Sequence, residues 1–479
     1  MSPPSGVSRR SLLAAGGLGL GALALGGCAG GTGGVPAGEG WRRFAGTTIN
    51  FVSENTAPTA AIAANLRPFT ELTGIDVRIA TYDITSCMQV ASLDFASGAA
   101  EYHVVYADPW MMLAPLARGM ADLREFLEDD SYPQPEGGLA DFVPAMLEVE
   151  GRFASKGPLY TLPYDCPTLL LHYRKDLFDK YGERIADELG FDPTPGGSLT
   201  WEQYGKVGKW FNDNVDEVDY GIGLMAKQHD SLSCDYGNLL WAYGGDYFAA
   251  GQRIGLLGAT DPGECTLDSP EAVAAAEMYM RLVRVAHPGS PGWDWDSSGA
   301  ALRSGRIAMC ANWHENAAAN EQAMPGKIGY ATLPRGPARS GNMFGGTGIG
   351  VNNDARGAQR GAAWLFVNWA TSPAVQLANL ASPVGGGTPT RQSVYRKPQV
   401  VAAEHRPSRM PNMLASQAAH QAWRPGYLGS RPKIPMWNEV LVTVYTGLSY
   451  MVAGDRTPSA AMRRIAHDVR QIVARGWHA

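Results

Sequence analysis

Asp108 and Trp110 stand two residues apart behind an apolar run, and Tyr164 and Asp165 are adjacent. Trp241, Trp295 and Trp313 each lie within a few residues of Asp, Glu or Gly. A carboxylate accepts two hydroxyl hydrogen bonds, and an indole or phenol ring offers a flat apolar face. Such a mixture complements a solute with C–H faces and a rim of hydroxyls. It also discriminates, because an analogue lacking a hydroxyl leaves a buried polar group unpaired. Each position has a structural alternative. Asp108-Pro109 can simply turn the chain with Trp110 packed beneath it, and Asp165 can be an internal link. The loops Trp241–Asp246 and Trp293–Asp296 should each turn one residue to a cleft and pack the rest. Glu54 and Asn55 either bind or cap the next helix, and Tyr82 ends a strand in the same way. Gly346 and Thr347 belong to Gly345-Gly-Thr-Gly348, and a second glycine run is Gly385–Gly387. Neither is a GxGxxG turn with a downstream acid, and neither carries the Gly-Lys-Ser/Thr of a phosphate loop. Glycine there lets backbone N–H groups approach a ligand or lets a crossing strand bend. Arg391 either clamps hydroxyls or an anion, or forms a surface ion pair.

The elements that must position these residues follow from periodicity. Thr48–Ser53, Ile75–Ile79 and His103–Ala107 read as strands. A helix carrying Ile62, Leu66 and Phe69 and closed by Gly74 separates the first two, and a helix around Met88–Ala96 separates the last two. Parallel neighbours need such crossovers. Ligands then collect at the carboxyl ends of the strands, here Glu54/Asn55, Tyr82/Asp83 and Asp108/Trp110. Thr168–Tyr173 and Gly346–Val351 read as further strands, 227–330 as helices with aromatic loops, and Ala358–Trp369 as a long helix. Asn438–Val473 reads as helical with a break at Gly454-Asp455. Two α/β lobes with several chain crossings, a clamshell, accommodate this order better than two independent domains.

The chain has 479 residues, 45% hydrophobic and 18% charged, with 13 Trp, 19 Tyr and 13 Phe. That composition supports a large core and excludes a disordered or fibrous protein. A formal charge of −6 with no long basic run argues against a nucleic-acid binder. Residues 1–27 read as an export signal: Arg9-Arg10, then an apolar run of about fifteen residues, short of the roughly twenty that cross a bilayer. The start resembles a twin-arginine signal. Leu25-Gly-Gly-Cys28 resembles a lipobox, making Cys28 the lipidation site and residues 28–46 a flexible tether. Five cysteines remain, with neither CxxC spacing nor nearby histidines, so neither a metal site nor any other cofactor is expected. Cys166 and Cys234 are the expected disulfide, if one forms.

Several phrases share an order along the chain. They include Phe69-Thr-Glu-Leu-Thr-Gly-Ile75, Leu159-Tyr-Thr-Leu-Pro-Tyr-Asp165, His172-Tyr-Arg-Lys-Asp-Leu-Phe178 and Leu199-Thr-Trp-Glu-Gln-Tyr204. Ser304-Gly-Arg-Ile-Ala-Met309, Gly329-Tyr-Ala-Thr-Leu-Pro334 and Gly345-Gly-Thr-Gly-Ile-Gly-Val351 follow. Over roughly 47–473 this resembles the extracellular solute-binding proteins of carbohydrate-uptake ABC transporters. The resemblance implies an α/β type II periplasmic-binding-protein clamshell whose lobes are joined by crossing hinge strands, and closure on a ligand that is presented to a membrane permease. The lobes would be 47–160 plus 346–383, and 161–345 plus 384–479. Trp313 matches the place of a stacking Trp in that family, with His314 and Glu315 beside it. The implied partners are a carbohydrate or polyol, permease subunits, and the membrane through lipid on Cys28, with the protein acting as a monomer and catalysing nothing. Rival readings are a non-sugar ligand such as a polyamine, peptide or iron chelate, and a lipid-anchored glycoside hydrolase using Asp108 and Asp165.

Overall fold

A computed structural model describes residues 39–476 except 155–156, 197, 383–385 and 406–409. The signal, Cys28 and most of the tether lie outside the described residues. Among the described residues eleven strands run in chain order: β1 Thr48–Glu54, β2 Asp76–Tyr82, β3 Val104–Ala107, β4 Leu162–Asp165, β5 Leu169–Arg174, β6 Tyr220–Gly223, β7 Ile307–Trp313, β8 Ile328–Ala331, β9 Asn342–Met343, β10 Thr347–Val351 and β11 Leu428–Gly429.

The first sheet has the order β2-β1-β3-β10-β4. β1 runs parallel to β2 and β3, and β10 runs antiparallel to β3 and β4. Direction matters for the site. The carboxyl ends of β1 and β3, the amino end of β10 and the carboxyl end of β4 all reach one edge, where Thr347 faces Asp165 and Gly348 faces Ala107. The β1–β2 crossover is two helices, Ala57–Ala64 and Arg67–Thr73, not the single one that the periodicity suggests. Pro68 lacks the N–H needed to continue the first helix. Ile84–Ser97 connects β2 to β3; Asp83 caps it by accepting from Ser86 N at 3.0 Å, and Gly98 closes it at φ 65°.

The second sheet has the order β6-β7-β5-β8, with β5 antiparallel to both neighbours and β6 parallel to β7. The sequence reading of 227–330 as helical is corrected here, since β7 and β8 fall inside it. Ile307–Asn312 is buried on both faces, and a continuous apolar run without alternation does not distinguish strand from helix.

The lobe limits also shift. Leu162–Asp165 belongs to the first sheet, so the chain leaves that lobe after Asp165 rather than after Tyr160. The stretch after 386 stays with the first lobe: Val143 N donates to Thr390 O, Phe142 bridges Arg391, and Leu380, Val394, Val400 and Ala403 share one small core. The chain joins the second lobe at Ala415, which packs with Ala419 and Ala422 against Leu170 of β5. Two long helices finish the chain, Trp437–Val452 and Pro458–Arg475, broken at Gly454 as expected. Among the described residues no helix is long and apolar enough to cross a membrane.

Candidate functional site

A cavity of about 510 Å³ lies between the two sheet edges. Its first-lobe wall comprises Glu54, Asn55, Asp83, Tyr106, Asp108 and Asp165. Its second-lobe wall comprises His229, Asp230, Asp294, Trp295, Asp296, Trp313 and Glu315. Gly346 and Thr347, on the crossing back into the first sheet, and Arg431 complete it.

Strand geometry explains the first wall. Glu54 ends β1, and its Oε2 accepts from the Tyr106 hydroxyl at 2.6 Å; Thr347 Oγ1 donates to that same hydroxyl at 2.8 Å. Burial pushes the Glu54 carboxyl up to about 7 against the opposing pull of that hydrogen bond. Thr56, not Glu54 or Asn55, caps the following helix, which leaves both free to face the cavity. Asp108 Oδ1 accepts from Trp110 N at 2.8 Å and Met111 N at 2.7 Å. Its other oxygen meets Arg431 Nη2 at 3.3 Å, and Arg431 Nη1 meets Asp230 of the second lobe at 3.2 Å. Burial works against the Arg431 charge, but Asp108 and Asp230 together hold it above the usual range.

The second wall is braced from behind. Asp294 caps the helix Trp295–Arg303 and pairs with Lys227 at 2.8 Å, while the His229 ring meets Trp295 edge-on at 4.6 Å. Trp313 ends β7 opposite Leu169, three residues past the first crossing, so Asp165 and Glu315 meet across the cleft. Burial raises both carboxyls, Asp165 to about 6, and the Asp165 charge raises Glu315 further. Asp165 also accepts from Thr388 N. A Cβ on Gly387 would stand 2.9 Å from Asp165 Oδ1, so only glycine permits that approach.

Of the residues singled out by sequence, Glu54, Asn55, Asp108, Asp165, Trp295, Trp313, Gly346 and Thr347 are brought together. Five are not. Trp110 is fully buried, and the Arg431 guanidinium lies over its ring at 4.5 Å. Tyr82 is half-buried, its hydroxyl 3.3 Å from that of Tyr102. Tyr164 alternates away from Asp165 along β4 and is buried in the core. Trp241, in the last turn of Asp230–Ala242, is pressed by Gly429; the opposite end of that helix supplies Asp230. Arg391 is an internal brace. Its guanidinium stacks 3.6 Å over Phe142, and its nitrogens donate to the carbonyls of Thr371, Glu136 and Gly138. His314 also lies behind the wall. Nor do Cys166 and Cys234 pair: all five described cysteines are free and buried, Cys166 Sγ against Gly345 O at 3.7 Å and Cys234 Sγ against Asp230 Oδ1 at 3.6 Å.

Tyr106, Asp230 and Arg431 were not anticipated as site residues, and the loop Trp293–Asp296 turns Asp294, Trp295 and Asp296 to the cavity rather than the one residue expected. Tyr106 was within reach, since it lies two positions before Asp108 on the same strand face. Asp230 and Arg431 carry no local signal, because long-range packing alone brings them together.

Two α/β lobes linked by crossing segments, with a cavity lined from both, define a two-lobed solute-binding protein. Residues 52–377 match the bacterial extracellular solute-binding protein family, and the chain belongs to that family. It is 24% identical over 443 residues to a probable amino-acid ABC transporter periplasmic-binding protein of Sinorhizobium fredii, covering 91% of each chain. Among solved structures, the maltose-bound MalE3 of T. maritima superposes with TM-score 0.73 at 23% identity, covering 89% of this chain and 100% of that one. A solute-binding protein of Agrobacterium radiobacter in complex with ribitol gives TM-score 0.73 at 23% identity, covering 90% and 99%.

Proposed function

We propose that this protein captures a sugar or polyol between its lobes and delivers it to the permease of an ABC importer. One observation carries this reading: two tryptophans, Trp295 and Trp313, stand in the same cavity as carboxylates from both lobes. Ring faces suit the C–H surfaces of a polyhydroxylated ligand, and the carboxylates suit its hydroxyls. A ligand touching both walls favours the closed arrangement, because only differential contact shifts a population. The maltose- and ribitol-bound structures with the same fold support this class. An amino acid, suggested by the name of the Sinorhizobium relative, is disfavoured. It would bring a carboxylate into a cavity whose lining guanidinium, Arg431, is already tied to Asp108 and Asp230.

The proposed role is binding without catalysis and without a cofactor. A glycosidase needs one free acid and one free carboxylate, whereas both oxygens of Asp108 are engaged. Export, and anchoring through lipid on Cys28, complete the proposal. Isothermal titration against monosaccharides, oligosaccharides and polyols is the test. Saturable binding to at least one, weakened about ten- to a hundred-fold by Trp313→Ala, is expected; silence across the panel overturns the reading.

A further inference from the structure

The cavity carries far more negative charge than hydroxyl recognition requires. Eight carboxylates line it, four from each lobe, and Arg431 is the one Lys or Arg side chain among its lining residues. That single cation is shared between Asp108 and Asp230, and Asp294 has Lys227 behind it. Among the more enclosed carboxylates this leaves Glu54, Asp165 and Glu315. Each has its own hydrogen-bonding arrangement, Glu54 with Tyr106 and Asp165 with Thr388 N, but none has an ion pair. Glu315 hydrogen-bonds Asp165, carboxyl to carboxyl, while its Oε2 is sealed from solvent and has no hydrogen-bond partner among the described residues. The three feel one another, since the Asp165 and Glu54 charges both act on Glu315.

Three buried carboxyls without a cation repel one another unless they keep protons or meet a positive charge. A hydroxyl ligand supplies donors but no charge. A protonated amine supplies three N–H donors and the charge together. The donor set also separates an organic cation from a metal ion. Among the described residues, no group of three or more His, Cys, Asp or Glu side chains is placed to hold a metal, whereas an ammonium on a carbon skeleton can reach carboxyls spread along a cleft.

We infer that the ligand is a sugar or polyol bearing a protonated amine, with the ammonium seated among Glu54, Asp165 and Glu315 and the carbon skeleton against Trp313. This rests on the sugar or polyol reading and narrows it. Because two of these carboxyls stand on the first lobe and Glu315 on the second, the ammonium joins the lobes directly.

Matched pairs test it: 1-amino-1-deoxy-D-glucitol against D-glucitol, and D-glucosamine against D-glucose, titrated calorimetrically into the purified protein at pH 7. The amine of at least one pair should bind at least ten-fold more tightly than its hydroxyl parent. Repeating the aminoglucitol titration in two buffers of different ionisation enthalpy should reveal proton release, because the ammonium drives protons off the carboxyls. Glu315→Gln should cut the ratio of the amine's affinity to its parent's at least three-fold; the wild-type comparison stands even if that variant folds poorly. A parent binding as tightly as its amine overturns this inference and leaves the sugar or polyol reading intact. Silence toward every pair likewise overturns this inference alone, whereas binding of putrescine or spermidine alone overturns the sugar reading with it.

Discussion

Trp313 and Trp241 have the same side chain and opposite duties. Trp313 is partly exposed at the end of β7 and faces the cavity; Trp241 is fully buried against Gly429. Trp313→Ala should weaken ligand binding by about ten- to a hundred-fold, the 1–3 kcal/mol that loss of an aromatic contact at a binding site costs, with the melting temperature nearly unchanged. Trp241→Ala should leave a cavity and cost about 3–5 kcal/mol of stability, read by denaturant unfolding. Glu54 makes a prediction about pH. Its folded carboxyl is raised to about 7 by burial, so between its unfolded value and 7 the folded state binds more protons, and its contribution to stability falls as pH rises through that window. Glu54→Gln removes this slope. The difference in melting temperature, variant minus wild type, should therefore grow from pH 4.5 to 7 and then level off; a difference independent of pH would contradict the assignment.

At the scale of elements, the hinge depends on a histidine. Thr168 N, in the first crossing, donates to His314 Nδ1 at 3.0 Å, which assigns the proton to Nε2 and makes it the donor to Thr388 Oγ1 at 2.8 Å. A neutral imidazole thus ties the first crossing to Thr388 of the first lobe, and burial lowers its pKa to about 4. The sign is opposite to that of Glu54. The unfolded histidine takes up a proton near 6.5 while the folded one resists, so stability is full above 6.5 and falls as pH drops toward 4. His314→Asn should flatten that acid limb at the cost of a lower melting temperature at pH 7. Gly348 is a second constraint, since a Cβ there would overlap Thr161 Oγ1. Gly348→Ala should cost about 1–3 kcal/mol by overpacking. Much at this scale was legible in the sequence. Strand ends place Glu54, Asn55 and Asp108 on one edge, because parallel strands with helical crossovers must point the same way; Asp165 joins them on β4, a strand the sequence pattern did not show. Burial was not legible. Trp110, Tyr164 and Arg391 have the right types in the right segments, but whether a side chain turns to the cavity depends on strand phase and on neighbours far along the chain. Arg431 reaches Asp108 across more than three hundred residues of sequence, a contact that no local pattern announces.

At the scale of the whole molecule, that same arginine ties one lobe to the other. Arg431 stacks on Trp110 and bonds Asp108 of the first lobe and Asp230 of the second. Two residues on, the Lys433 ammonium donates to the carbonyls of Val149 and Arg152 in the first lobe, so a short segment after β11 clamps both walls. If the clamp sets how far the lobes open, Arg431→Met must do two things. It leaves two carboxylates buried without a cation, which costs about 3–5 kcal/mol, and it replaces a cross-lobe attraction with repulsion between Asp108 and Asp230. Solution scattering of the ligand-free variant should then show a larger radius of gyration than the wild type. The increase should persist at high salt, because enclosed charges are weakly screened. Arg431→Met with Asp108→Asn and Asp230→Asn should recover most of the stability, since no buried charge is left unpaired, but it should not recover the tie itself. A single variant as compact and as stable as the wild type would mean that Arg431 merely fills space on Trp110 and that the lobes are held by the crossing segments alone.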